Sequence, residues 1–370
     1  MLGAGGTLAA QVAPLKRVGV GIIGAGFRGR QLLEECLNHP FVHIGAVCET
    51  YEPRMFGAVA LARSRGHRTR YYRIYGDLMA DSDLDAVLIA TPDFWHHKMT
   101  LEALHAGKDV YVEQPLCLSW QQGVELLQAE KRSRQIIQVG SQRRSSAWFA
   151  RTAGQIAKGG QRQMVQARKT SSYLRPGVLR RGGAKLRDPL NFPDWQAAAA
   201  EQLPYSPDRF LNWRFYSMYG GGPVADLGVH ILDGVHLLTS AGFPSVVTAS
   251  GMRSQEEGFD TAERATVTVE YPNGLRASLS IDGAAASAAE ESIIQGDRAR
   301  IAIRRNLDHE LQEATRRHLL NFFDCVRTRK APKAPVSATF AATLICQMAN
   351  LSIESGRGAR WDADQLRVTG

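Results

Sequence analysis

The sequence contains no unbroken run of eighteen apolar residues, so no membrane-spanning segment is expected from it. Cysteine is scarce and shows no pairing pattern. The five residues, Cys36, Cys48, Cys117, Cys325 and Cys346, include no C-x-x-C and are odd in number, which argues against a zinc site or a disulfide framework. Cys48 and Cys117 fall in or beside predicted strands, where a free thiol packs as a small hydrophobe. There is no internal repeat, and no low-complexity segment beyond the alanines at 197–200. Acidic residues are outnumbered, 36 against 45 Lys and Arg, giving a net charge of +9. The basic residues are nonetheless scattered, and the short clusters at Arg180-Arg181 and Arg327 to Lys330 lack interleaved aromatics. The excess therefore reads as a solvated surface suited to anionic ligands, with no nucleic-acid partner. The opening MLGAGGTLAA looks like the end of an export signal, with small residues near Ala9-Ala10, but lacks the positively charged start. A leader remnant implies a bacterial-type periplasmic location, and a plain disordered tail a cytoplasmic one. Residues 1–15 are set aside from fold reasoning in either case.

What remains is ordinary for a globular chain, 44% hydrophobic and 22% charged over 370 residues, a length for roughly two domains. Strand and helix patterns alternate from Val18 to Gly140. Predicted strands lie at 18–23, 42–48, 86–90, 108–112 and 135–139, and helices at 28–37, 53–65, 96–106 and 119–133. Such alternation implies an α/β Rossmann domain with a doubly wound parallel sheet over 16–141. The pattern changes beyond it. A helix at 147–157 precedes a long stretch, 170–222, rich in Arg, Pro, Gly and aromatics, of the kind that usually carries function. Strands at 246–251, 266–271 and 275–281, with Asn273-Gly274 as a hairpin turn, predict an antiparallel sheet, and helices at 310–327 and 338–355 close the chain. Residues 142–370 are thus expected to form an α+β domain built on an antiparallel sheet.

Gly24-Ala-Gly26-Phe27-Arg28-Gly29 fits G-x-G-x-x-G between a predicted strand and a predicted helix, the context this pattern needs. Glycine lets the backbone turn tightly and approach a pyrophosphate, which then sits on free N–H groups at the helix start. Glu49 ends the second strand near the distance expected for an acid that binds the adenosine ribose hydroxyls and repels a 2′-phosphate. That favours NAD over NADP, although Arg54 could hold the phosphate instead.

Several motifs together resemble the Gfo/Idh/MocA oxidoreductases, the family of glucose–fructose oxidoreductase and inositol dehydrogenase. They are GAGFRG at 24–29, ATPDFWHH at 90–97, AGKDVYVEQPL at 106–116, GGGPVADLGVHILD at 220–233, and the closing NFFDCVRTRKAP and RWDAD. The resemblance spans Val18 to about Asp362. It implies a Rossmann domain, an α+β domain over 142–370 whose open-faced antiparallel sheet serves substrate binding and homo-oligomers, and sugar or polyol substrates. Thr91 and Pro92 match the family turn beside the cofactor. His96 matches the histidine opening the next helix, with a cofactor-side or a purely structural role both open. Trp95 fits either the pocket or the core. Glu113-Gln114-Pro115 matches the family's Glu-Lys-Pro, with Gln114 in place of the lysine that helps move the substrate proton. Glutamine can orient a hydroxyl but cannot titrate. Asp226 and His230 match the family's acid and histidine. On a helix they share a face at i and i+4, where the carboxylate could brace the imidazole as a general base. Asp233 and His236 follow on the same stretch. Arg143, Arg144, Trp213 and Arg214 are substrate contacts or interdomain braces, and 191–195 could wall the pocket.

Three activities fit these residues. One is an NAD-dependent dehydrogenase or reductase of a sugar or polyol. A second is a glycoside hydrolase that oxidises its substrate transiently and restores it, which the missing lysine favours. The third is a non-catalytic dinucleotide-binding sensor, against which Asp226 and His230 argue.

Overall fold

The computed structural model describes residues 17–158, 162–171, 186, 190–256, 258–297, 300–304 and 308–370. The leader-like segment, the Arg180-Arg181 pair and most of 172–189 lie outside the described residues.

The first half is a parallel sheet of six strands, β1 (Val18–Ile23), β2 (Val42–Cys48), β3 (Arg70–Tyr72), β4 (Ala86–Ile89), β5 (Asp109–Val112) and β6 (Ile137–Val139), in the order β3-β2-β1-β4-β5-β6. Helices α1 (Phe27–Cys36), α2 (Glu52–Ser64), α3 (Tyr75–Met79), α4 (Asp93–His105) and α5 (Trp120–Arg132) connect them. The continuous burial of β1, β4 and β5 explains why they read as apolar runs without alternation. The order reverses between β1 and β4, so the carboxyl ends of these two strands flank the crevice where this architecture binds its ligand.

A 3-10 turn at Gln142–Ser145 and α6 (Ala147–Lys158) lead into the second half. Its sheet has eight strands, β7 (Arg162–Thr170), β8 (Val246–Arg253), β9 (Ala262–Glu270), β10 (Arg276–Asp282), β11 (Ala289–Gly296), β12 (Arg300–Arg304), β13 (Ala359–Asp362) and β14 (Arg367–Thr369). The order is β12-β11-β7-β10-β9-β8-β13-β14, and only β7 and β10 run parallel. The sheet is therefore mixed, though mostly antiparallel. The predicted hairpin is present: β9 pairs with β10 across a turn in which Gly274 has φ +81°.

Short helical turns α7 (Phe192–Trp195) and α8 (Pro207–Leu211) precede α9 (Gly222–Thr239), followed by α10 (Asp308–Thr328) and α11 (Val336–Ser355). By length and composition α11 could cross a bilayer, which the lack of an unbroken apolar run did not anticipate. Here it is mostly buried and packs against α5, α9 and β8. Helix α10 returns to the first half, where Leu319, Phe322, Phe323 and Val326 share a core with Val18, Val20, Leu32 and Leu33. A cut at 141/142 thus does not separate the packing of the two halves.

Candidate active site

The glycine turn has the shape its motif requires. Gly24 has φ +87°, and a Cβ on it would come within 2.7 Å of the Ala90 carbonyl. A Cβ on Gly29 would lie 1.8 Å from the Gly24 carbonyl, so the helix can approach the strand only with glycine there. Helix α1 starts on Gly26 with no side-chain cap and no acid in its first turn, leaving its first N–H groups available to an anion. Around Gly26 the space is open, the nearest atom to a Cβ there being an Arg54 guanidinium nitrogen at 3.8 Å. Phe27 is 84% exposed beside it. This cradle fits the diphosphate of a dinucleotide.

Glu49 stands at the end of β2, but its carboxylate is turned into the turn. It accepts from the amides of Ala25 (2.9 Å), Thr50 (2.8 Å) and Tyr51 (3.1 Å) and from the Thr50 hydroxyl (3.2 Å). Three of these donors converge on Oε1 and only Ala25 reaches Oε2, so Oε2 keeps one acceptor position for a further donor such as a ribose hydroxyl. Arg54 lies over the Tyr51 ring (5.7 Å) and the Phe210 ring (5.0 Å) of α8.

Arg28 Nε donates to Glu113 Oε1 (2.9 Å), joining the cofactor turn to the tripeptide. Tyr111 OH (3.3 Å) and Gln142 Nε2 (3.2 Å) donate to the same carboxylate. The Gln114–Pro115 peptide is cis. Gln114 is buried and held at both ends. Its Nε2 donates to Ser141 Oγ (3.0 Å), and Thr343 Oγ1 on α11 donates to its Oε1 (3.0 Å). The tripeptide thus carries an immobilised amide at its middle position.

Helix α4 begins at Asp93, three positions before the predicted start, so His96 lies inside its first turn instead of opening it. The His96 ring contacts two carbonyls, Pro115 at Nδ1 (2.7 Å) and Thr91 at Nε2 (2.9 Å). It ties the Thr91-Pro92 turn to the tripeptide loop, and both nitrogens face main chain. Burial lowers its pKa more than the two carbonyls raise it. Trp95 is a core residue whose Nε1 donates to the Trp195 carbonyl (2.7 Å). Trp195 and Phe192 are buried too, packed in an aromatic cluster with Phe94 and Tyr219.

From the second half, α9 carries Asp226 and His230 on one face as predicted, yet they are not a hydrogen-bonded dyad. Asp226 Oδ1 takes Arg214 Nε (3.0 Å), and the Arg214 guanidinium lies 4.2 Å from the centre of the Trp213 ring. Among the described residues the partly buried His230 ring has no hydrogen-bond partner. Burial, and then the charge of Arg143, lower its pKa to about 4, against opposing pulls from Asp226 and Glu113. The imidazole is neutral at pH 7. The more distant charges of Glu113 and Arg28 act on it more weakly.

Arg143 and Arg144 are braces. Arg143 Nη2 pairs with Glu290 Oε2 on β11 (2.7 Å), joined by Lys169 Nζ (2.9 Å). Burial alone would raise the Glu290 carboxyl, but Arg143 and Lys169 outweigh it and hold it at about 2. Arg144 bonds Asp233 Oδ1 (2.8 Å) and the Ala338 carbonyl (2.7 Å), while His236 meets Tyr271 OH (3.0 Å).

One residue escaped the sequence reading. Asp93, buried at the first position of α4, accepts the Gly221 amide (3.2 Å) and faces Asp226 and Arg214. The available signal was an acid directly after the Thr-Pro turn.

The comparisons with known proteins agree with this geometry. Residues 18–141 match the GFO_IDH_MocA family, described as an oxidoreductase family with an NAD-binding Rossmann fold, and 196–302 match its GFO/IDH/MocA C-terminal domain. A glycosyl hydrolase family 109 protein of a Shewanella species is 32% identical over 121 residues, 31% of this chain and 26% of that protein. One from Streptomyces niveus is 27% identical over 282 residues, 72% of this chain and 54% of that protein. The chain thus spans only a quarter to about half of these relatives. The crystal structure of GenD2 from gentamicin A biosynthesis, in complex with NAD, superposes with TM-score 0.76 at 17% identity, over 94% of this chain and 97% of that one. With both its halves matched and the fold in common, the chain belongs to the Gfo/Idh/MocA oxidoreductase family.

Proposed function

We propose that this protein is an NAD-dependent glycosidase acting on a sugar glycoside by transient oxidation. The observations that carry the reading are a neutral His230 with no hydrogen-bond partner among the described residues and a Gln114 held at both ends. The diphosphate would rest on Gly24, Gly26, Phe27, Arg28 and Gly29, with Thr91, Pro92 and Glu113 flanking the nicotinamide end. Glu49 at the ribose end, and the enclosure of Arg54 between Tyr51 and Phe210, favour NAD over NADP. Bound there, NAD would supply reversible oxidation of one carbinol carbon. The ketone would acidify the adjacent C–H, and loss of that proton would expel the aglycone. Water would add to the resulting double bond, and the hydride would return, with no net oxidation. His230, neutral and free to accept, takes the hydroxyl proton and returns it. Gln114 can hold a hydroxyl in place only by giving up a bond to Ser141 or Thr343. Asp226 acts on His230 through its charge and through Arg214. Trp213 and Arg214 offer a stacking face and a donor fork to a sugar. The relatives named as family 109 glycosyl hydrolases support the same choice.

A net dehydrogenase of a sugar or polyol is the second reading, favoured by the family and by the NAD-complexed neighbour. One assay separates the two. Aryl glycosides are offered to the purified protein while aglycone release and NADH absorbance are followed together. Release without NADH build-up, lost on removing NAD and reduced about 10²–10⁴-fold in His230→Ala, is the expected result. Stoichiometric NADH would establish the dehydrogenase, and undiminished release from NAD-free protein would overturn both.

A further inference from the structure

The rings around Arg54 join the two halves of the molecule beside the glycine turn. Tyr51 is the N-cap of α2, and its carbonyl accepts the amides of Arg54 (3.1 Å) and Met55 (3.2 Å). Its own amide donates to Glu49, so the acid ending β2 and the first turn of α2 form one unit. From that turn the Arg54 guanidinium reaches 5.0 Å from the centre of the Phe210 ring and 5.7 Å from that of Tyr51. The two rings meet edge-on, 6.0 Å apart. Phe210 is buried and backed by Trp195 (5.5 Å), whose carbonyl accepts the Trp95 indole N–H of α4. The ring under Arg54 is thus anchored in the second half.

Two observations set this arginine apart. Among the described residues Arg54 makes no hydrogen bond and no ion pair, and the neighbouring acid Glu52 is taken by Arg73. Aromatic faces stabilise its charge where a carboxylate usually would, so its N–H donors stay open to a ligand. The second observation is where those donors lie. Arg54 Nη1 is the nearest atom, at 3.8 Å, to the point where Gly26 would carry a Cβ. The bareness of that glycine is what lets a diphosphate approach the main chain. An oxygen resting there would meet the free amides of α1 on one side and a guanidinium fork on the other.

We propose that Arg54 is a diphosphate-binding residue braced by Phe210, so that filling the cofactor turn tightens the docking of α8 on α2. Glu49 keeps the ribose end, and Arg54 serves the anion common to NAD and ADP. The coupling is reciprocal: what loosens Phe210 also weakens the cofactor. The inference rests on a dinucleotide lying on the glycine turn, and is independent of whether the reaction is a hydrolysis or a net oxidation.

The test is calorimetric titration of the full chain with NAD, ADP and NADP, joined to amide hydrogen exchange. Arg54→Gln should weaken NAD and ADP by the same factor, about 10- to 100-fold, the loss of a charge-assisted bond. Phe210→Leu, which keeps an apolar side chain but removes the ring, should weaken NAD about 2- to 10-fold. Saturating NAD should slow exchange across 208–211 in the unmodified protein and not in Arg54→Gln. Undiminished NAD affinity in Arg54→Gln overturns the proposal and leaves the dinucleotide site standing. A larger loss for NADP than for NAD would assign Arg54 to a 2′-phosphate and overturn it as well. So would exchange across 208–211 that ignores NAD, or that slows equally in Arg54→Gln. Should Arg54→Gln fail to fold, exchange in the unmodified protein and the affinity of Phe210→Leu decide. An unmodified protein that binds neither NAD nor ADP would overturn the dinucleotide site and this inference together.

Discussion

A single buried amide side chain, Gln114, stands in the middle of the Glu113-Gln114-Pro115 tripeptide. Gln114 is bonded at both ends, to Ser141 and to Thr343, and the three are buried together. Removing it in Gln114→Ala deletes one buried hydrogen bond each from Ser141 and Thr343, the latter keeping the Leu116 amide, which should cost about 1–3 kcal/mol. Urea unfolding measures this directly, and a variant as stable as the parent would refute the clamp. That a glutamine stands in the tripeptide was legible in the sequence itself. That glutamine is clamped was not, because Thr343 lies 229 positions away. The same holds for Arg143: the sequence marks it as a donor fork, but its carboxylate, Glu290, is 147 positions distant. Side-chain identity is local information, while partnership is set by how distant segments meet.

At the scale of elements, legibility followed burial. The strands covered on both faces, β1, β4 and β5, stood out as apolar runs. Strand β7 did not. Its sequence RQMVQARKT buries Val165 and Ala167 between polar neighbours, and it was read as neither strand nor helix. Strands β3 and β14, at sheet edges with no buried residue, and β11, which buries only Glu290 and Ile294, escaped for the same reason, and β12 and β13 escaped as well. The start of α4 was misplaced because Pro92 and Asp93 look like turn residues, whereas Pro92 is the N-cap and Asp93 the first helical residue. The glycine turn was read correctly as a backbone device, and it makes a sharp prediction. Gly29→Ala places a methyl 1.8 Å from the Gly24 carbonyl, so the α1–β1 junction must open. Calorimetric titration with NAD should show affinity reduced more than tenfold, about 1.4 kcal/mol or above, while circular dichroism stays near that of the parent. Unchanged affinity would mean that the dinucleotide does not rest on this turn.

For the whole molecule, buried titratable groups on both sides of the seam narrow the pH range of stability. Burial lowers His230 to about 4, His236 to about 3 and His318 to about 4. The unfolded chain binds protons at these rings near pH 6.5 and the native protein does not, so stability is full above that pH and falls as pH drops toward 4. Asp93 has the opposite sign: raised to about 8, it is protonated in the native state and ionised in the unfolded one, so its contribution is lost as pH rises through 8. Denaturant midpoints across this range should therefore peak at mildly acidic to neutral pH. Asp93→Asn should flatten the alkaline side and His236→Gln the acid side. A midpoint flat from pH 4 to 8 in the parent would contradict both assignments.

The return of α10 to the first domain has a consequence for how the chain comes off the ribosome. The sheet of β1 to β6 is synthesised by residue 139, yet one of its faces is covered by Leu319, Phe322 and Phe323. The nascent dinucleotide domain must wait, with that face open, through the synthesis of most of the second sheet. The first half is thus completed only after most of the second has been made, and any exchange of the second half between relatives has to carry 308–328 with the half it serves, not the half it follows.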